Sequence, residues 1–220
     1  MDLADSSHLE FDYLRWMRII LRAARARRVI HVGGGACSLA RALAAEDSDA
    51  ARPGRQQVCE IDARVLALAR EHFGLRRAPG LRVRVADGRR FVAGQAAESW
   101  DAVAIDAFIA ATVPRHLITA QAFGEVARVA PLVLVNVLDD RAARELQLIA
   151  AGLSAAYPRV WALGGRTGNT ILVGSTRRLD LGRIAAQAAA DPSPARLTRP
   201  EAVVRLIGGT PALRDEDVVA

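Results

Sequence analysis

Val29-Ile30-His31-Val32 runs straight into Gly33-Gly34-Gly35-Ala36-Cys37, and Ser38-Leu39-Ala40 then opens a helical stretch. Val58-Cys59-Glu60-Ile61-Asp62 follows as a second apolar run that ends in carboxylates. A strand, a glycine bend, a helix and an acidic strand end together constrain this chain more than any other feature does. Glycines reach φ values closed to other residues, so a ligand can come close to the main chain. The helix beginning near Ser38 aims N–H groups and the positive end of its dipole at the same place. Glu60 lies 27 positions after Gly33, somewhat beyond the roughly 20 typical of dinucleotide folds. Its carboxylate can accept from ribose hydroxyls, so the unit reads as a nucleoside-type cofactor site.

Composition removes several alternatives. The 220 residues suit one domain with a sizeable core, and 51% hydrophobic with 25% charged residues is ordinary for a globular protein. All 30 basic residues are arginine, and there is no lysine. That excludes a G-K-[ST] phosphate loop and a lysine Schiff base. The net charge of +6 comes from arginines spread along the chain without aromatic interleaving, so no nucleic-acid partner is expected. Cys37 and Cys59 are too few for a zinc cluster, and His8, His31, His72 and His116 lack ligand spacing, so no metal is expected. The two cysteines are expected to pack as small apolar residues. No apolar run approaches the roughly 20 residues of a membrane span, and no membrane partner is expected. Met1-Asp2-Leu3-Ala4-Asp5 has no signal-peptide pattern, which leads to an expectation of cytoplasmic location.

Ser7-His8-Leu9-Glu10 reads as a capping box for a helix carrying Tyr13, Leu14, Met17, Ile20, Leu21 and Ala24 on one face. Arg22, Arg25, Arg27 and Arg28 crowd its C-terminal end. Apolar strands then appear at about 28–32, 56–61, 81–86, 100–105 and 132–137. Helical stretches lie at about 38–46, 63–73, 118–130 and 140–156. Alternation of this kind predicts an α/β, Rossmann-like, doubly wound parallel sheet with right-handed crossovers. Gly164-Gly165-Arg166-Thr167-Gly168-Asn169 suits a hairpin between 159–163 and 170–175, making seven strands with an antiparallel edge. This plan resembles that of class I S-adenosylmethionine (AdoMet)-dependent transferases. Beyond Arg177 we expect a helix near 181–190, a second near 200–207, and a loosely held acidic end. The expected organisation is an N-terminal helix (1–27), a nucleoside-binding unit (28–176) and a C-terminal helical extension packed on the same domain (177–220).

Ligands of doubly wound sheets sit outside the carboxyl ends of the strands. Four features converge there: the Gly33–Gly35 bend, Glu60 with Asp62, Asp87-Gly88, and Asp106. Glu60 suits ribose binding, while Asp62 suits an N-cap. Asp87 can accept from an adenine amino group or can serve as a turn aspartate. Asp106 closes the buried run Asp101-Ala102-Val103-Ala104-Ile105-Asp106, a costly position for a carboxylate that binds nothing. Asp101 suits the start of that strand, and His116 a structural hydrogen bond.

Glu10-Phe11-Asp12-Tyr13, Gly33-Gly34-Gly35, Cys59-Glu60-Ile61-Asp62, Asp87-Gly88 and Trp100-Asp101-Ala102-Val103-Ala104-Ile105-Asp106 come in the order and approximate spacing of spermidine synthases. The resemblance spans about 8–176. Asp106-Ala107-Phe108 with Val113-Pro114-Arg115-His116-Leu117-Ile118-Thr119 is similar to a divergent bacterial branch of that family. The resemblance implies that Glu60, with Ile61 and Asp62, holds the ribose and that Asp87-Gly88 holds the adenine. It implies that Asp106 sits at the reacting end and that Tyr13 lines the amine pocket. AdoMet or decarboxylated AdoMet would be the cofactor and a small molecule the partner, and the chain could form a homodimer.

The departures are equally specific. Leu14 stands where the family has glutamine, Ala36 where it has the aspartate of Gly-Gly-Gly-Asp, and Asp106-Ala107-Phe108-Ile109-Ala110 lacks the second aspartate of Asp-Ser-x-Asp-Pro. The family's N-terminal β-hairpin domain has no expected counterpart before the first shared motif. Losing a charged hydrogen-bond partner costs about 1.5–3 kcal/mol. The nucleoside half of the site is therefore expected to survive and the polyamine half to be damaged. Methyl transfer to a non-polyamine acceptor is the alternative. Non-catalytic nucleoside binding is a further one, and nicotinamide chemistry comes last because Ser38 replaces the third glycine.

Overall fold

The computed structural model describes residues 5–47, 54–139, 143–165 and 168–218. The chain runs α1 (Asp12–Ala23), β1 (Arg28–Val32), α2 (Ser38–Glu46), β2 (Arg55–Glu60), α3 (Ala63–His72), β3 (Leu81–Val85), α4 (Gly88–Ala93) and β4 (Ala102–Ile105). It continues through α5 (Ala120–Val129), β5 (Leu132–Asp139), α6 (Arg144–Ala156), β6 (Arg159–Gly164), β7 (Gly168–Ser175), α7 (Leu181–Ala189), β8 (Arg196–Thr198) and α8 (Pro200–Ile207).

The strands form one sheet in the order β3-β2-β1-β4-β5-β7-β6-β8. β1 to β5 are mutually parallel, and β7, β6 and β8 join antiparallel. Eight strands replace the expected seven. The extra one, β8, is three residues long, too short to leave an alternation in the sequence. Strand sides alternate along the sheet. Val29, Ala102, Ala104, Leu132 and Leu134 face a core shared with α1, α2 and α7. Ile30, Val32, Val103, Ile105, Val133 and Val135 face the core under α5 and α6. Both faces are covered, which is why these strands read as continuous apolar runs.

Helix α1 begins at Asp12, with Phe11 as an N-cap that makes no side-chain hydrogen bond. The expected Ser7 capping box is therefore corrected: Ser7 donates to Asp5 instead, and His8 pairs with Glu10. Of the arginines expected at the end of α1, Arg22 pairs with Glu46 and Asp47, and Arg28 starts β1 and pairs with Asp101. Asp101 also accepts the Arg27 and Arg28 backbone N–H groups, which fixes the start of β4.

The acidic end is docked rather than loose. Asp215 holds Arg89 with two contacts of 2.7 Å and accepts from Thr119 Oγ1 at 2.6 Å, while Ala120 N–H donates to the Leu213 carbonyl. The start of the helix expected at 140–156, and Arg166-Thr167 of the hairpin turn, lie outside the described residues. Among the described residues no helix is long and apolar enough to cross a membrane.

Candidate functional site

Chain order reverses between β1 and β4: β2 and β3 continue outward on one side, β5 on the other. Such a switch point opens a crevice at the carboxyl ends of the strands. Gly33 and Asp106 meet there. A Cβ on Gly33 would lie 2.3 Å from the Asp106 carbonyl oxygen, and Gly33 has φ +86°, so only glycine fits. Gly35, at φ +47°, faces open space with no atom within 4 Å of a would-be Cβ.

Glu60 turns toward this bend. Its Oε2 accepts from the Gly34 and Gly35 N–H groups at 2.8 and 3.2 Å, and its Oε1 from the Asp62 N–H at 3.0 Å. The Gly34 and Gly35 N–H groups are thus spent on the Glu60 carboxylate. A carboxylate offers about four acceptor sites, so three backbone bonds leave Glu60 room to accept from a hydroxyl.

Two cavities flank the Gly33–Asp106 junction and share Gly33, Gly35, Asp106 and Phe108. The larger, about 480 Å³, lies over β2 and β3 and collects Glu60, Ile61, Asp62, Asp87, Gly88 and His116. The smaller, about 320 Å³, lies between the bend and α1 and is lined by Phe11, Tyr13, Leu14, His31, Ala36 and Leu39 among others. The site residues expected from the sequence therefore gather at one sheet edge, with Tyr13 on the side opposite Glu60 and Asp87.

Each carboxylate has its own local task. Asp62 caps α3 by accepting from the Arg64 N–H and also pairs with its guanidinium. Asp87 caps α4 by accepting from the Arg90 N–H, and its other oxygen meets His116 Nε2 at 3.1 Å. The structural role expected of His116 is thus a bond to Asp87. Asp106 accepts from Asn136 Nδ2 at 2.8 Å and from the Tyr13 hydroxyl at 3.2 Å. Burial pushes its carboxyl above the ordinary carboxylate range, against the two hydrogen bonds that pull it down. Burial and the Asp106 charge likewise hold the Tyr13 phenol above its usual value.

Asn136 is the residue of this constellation that sequence reasoning missed. It is buried in β5 and accepts in turn from Asn169 Nδ2 at 2.9 Å. The available signal was a lone amide inside Leu132-Val133-Leu134-Val135-Asn136-Val137-Leu138, because a buried amide needs partners. His31 is buried against Gln56 and held uncharged, pushed down to about 4 by desolvation. Cys37 and Cys59 are buried thiols pushed up to about 11 and about 12, so neither is a nucleophile at neutral pH. Among the described residues no three His, Cys, Asp or Glu side chains are grouped to hold a metal ion.

No protein-family model matches the chain, and no curated protein matches it. Solved structures do. A probable spermidine synthase from Corynebacterium glutamicum ATCC 13032 is 29% identical, with a TM-score of 0.84 over 96% of this chain and 82% of that one. A spermidine synthase in complex with the transition-state analogue AdoDATO is 16% identical, with a TM-score of 0.66 over 91% and 75%. Human methyltransferase-like protein 13 in complex with SAH is 17% identical, with a TM-score of 0.59 over 94% of each chain. With its mostly parallel sheet and antiparallel edge, this chain is similar to spermidine synthases and has the spermidine synthase-like, class I methyltransferase fold.

Proposed function

We propose that the chain is a spermidine synthase-like transferase that binds an AdoMet-type nucleoside in the larger cavity and a small-molecule acceptor in the smaller one. The observation that carries this reading is Glu60, 9% exposed and pointed at the glycine bend, beside a cavity of about 480 Å³. Pockets for small ligands run from about 300 to 1,000 Å³. Relatives of the same fold hold AdoDATO and SAH, which supports the nucleoside class.

Glu60 would accept from ribose hydroxyls, Ile61 would lie against the base, and Asp87 and His116 would meet its polar edge. Asp62, the cap of α3, and Gly88, the first residue of α4, would fix the walls. A bound sulfonium nucleoside supplies an electrophilic carbon. Asp106, common to both cavities, would orient the acceptor's nucleophile and take its proton on Oδ2, with Tyr13 and Asn136 holding the carboxylate in place. An open second cavity favours a transferase over a bare nucleoside binder.

Methyl transfer from full AdoMet is favoured over aminopropyl transfer from the decarboxylated form. Ala36 leaves the smaller cavity without an acid at that position, and the first turn of α2 carries none either. A helix N-terminus of this kind favours a carboxylate. Calorimetry with S-adenosylhomocysteine and with methylthioadenosine tests both levels. Binding of the former at least about tenfold tighter supports full AdoMet, equal binding supports the nucleoside alone, and no binding of either contradicts the proposal.

A further inference from the structure

We infer that the smaller cavity selects an acceptor with one basic nitrogen on a compact apolar body, an aromatic or alkyl monoamine, and rejects polyamines. The inference rests on the transferase reading for the word acceptor, but its selectivity is a property of the walls.

Those walls have a definite charge. Among the described residues Asp106 is the one carboxylate lining the cavity, and no arginine lines it. The remaining ionisable groups are Tyr13, His31 and Cys37. All three are neutral at neutral pH, because burial raises the phenol and the thiol and lowers the imidazole. Asp106 is thus the one side chain of this lining that can supply a negative charge, and an ammonium beside it favours the ionised form over the neutral form that burial favours. A monocation neutralises it. A dication leaves a second ammonium without a partner in a partly dry site, which is costly.

The apolar part is equally definite. Phe11 and Tyr13 stack with ring centroids 5.9 Å apart and planes at 27°, forming one wall with Leu14, while Phe108 lines both this cavity and the larger one. An ammonium beside Asp106 would also meet aromatic faces, which attract cations. Phe11 is 60% exposed at the mouth, so the apolar surface continues outward and can cover an aromatic or alkyl body. A volume of about 320 Å³ favours a compact molecule over an extended one.

The test is calorimetry on the intact chain with 2-phenethylamine and putrescine, each titrated with and without saturating S-adenosylhomocysteine. Phenethylamine should bind at least tenfold tighter than putrescine. Phe11→Ala lines only the smaller cavity and should weaken phenethylamine at least fivefold with S-adenosylhomocysteine unchanged. Ala36→Asp, by adding a second carboxylate, should tighten putrescine at least tenfold. Putrescine binding as tightly as phenethylamine to the unaltered chain, or no amine binding at all, overturns the inference. Amine selectivity without nucleoside binding would instead overturn the transferase reading and leave the cavity's preference standing.

Discussion

At Asp106 the needs of the fold and of the site conflict. The fold favours its neutral form, so ionising Asp106 subtracts from stability. That subtraction grows as pH rises through the folded-state value and vanishes below about 3.8, where folded and unfolded forms are both protonated. Asp106→Asn keeps partners for Asn136 and Tyr13 and should raise Tm at pH 7 by a few degrees while abolishing transfer. Thermal scans at pH 7 and pH 3.5 check it; a Tm that falls at pH 7 contradicts the cost. Glu60→Gln gives up a charged acceptor of three backbone bonds and should weaken nucleoside binding at least about tenfold. Unchanged affinity in calorimetry would count against Glu60 as a ligand group. Glu60 and Asp106 were legible because each is a carboxylate ending an apolar strand. Asn136 was not, since its partner Asp106, just past the end of β4, becomes visible only once β4 and β5 are aligned.

Among the elements, the β1–α2 bend and the docked C-terminal segment govern the site. Gly33→Ala forces a Cβ onto the Asp106 backbone at φ +86° and should cost at least about 2 kcal/mol, whereas Gly35→Ala, with φ +47° and open space, should cost about 1 kcal/mol. Equal effects in urea denaturation would mean that the close approach of β1 to β4 is not what Gly33 serves. Arg89 lies between Asp215 and Glu125 and donates to the His116 carbonyl at 3.0 Å, so the segment after α8 braces the wall that also carries Asp87. Arg89 holds the Asp215 carboxyl down at about 2, and its partner keeps it ionised throughout the physiological range. The pair is partly exposed, so Asp215→Asn should weaken nucleoside binding only about two- to fivefold. No change in affinity would show that the brace does not reach the cavity. Periodicity found the longer helices and strands to within a few residues. It missed α4 and β8, which are too short to repeat a pattern, and the Ser7 start of α1, where Asp5 wins the serine.

For the molecule as a whole, covering both sheet faces places His31 in a dry layer beside Gln56. Its folded-state value falls from 6.5 to about 4, so the contribution is present above pH 6.5 and is lost as pH falls toward 4. The stability advantage of the unaltered chain over His31→Asn should shrink by about 3 kcal/mol between pH 7 and pH 4. A pH-independent difference in denaturant midpoints would contradict this. The topology was readable because parallel strands buried on both faces leave unbroken apolar runs, and the carboxylates that end them mark the crevice. What the crevice accepts was not readable, because that depends on α1 and the bend closing a second cavity across Asp106. The most direct measurement is a crystal structure of the chain with S-adenosylhomocysteine. We expect the ribose on Glu60, the base between Ile61 and Asp87, and the thioether beside Asp106 at the junction of the two cavities. Density for the ligand elsewhere, or a cleft that stays empty at saturating concentration, would contradict the nucleoside site.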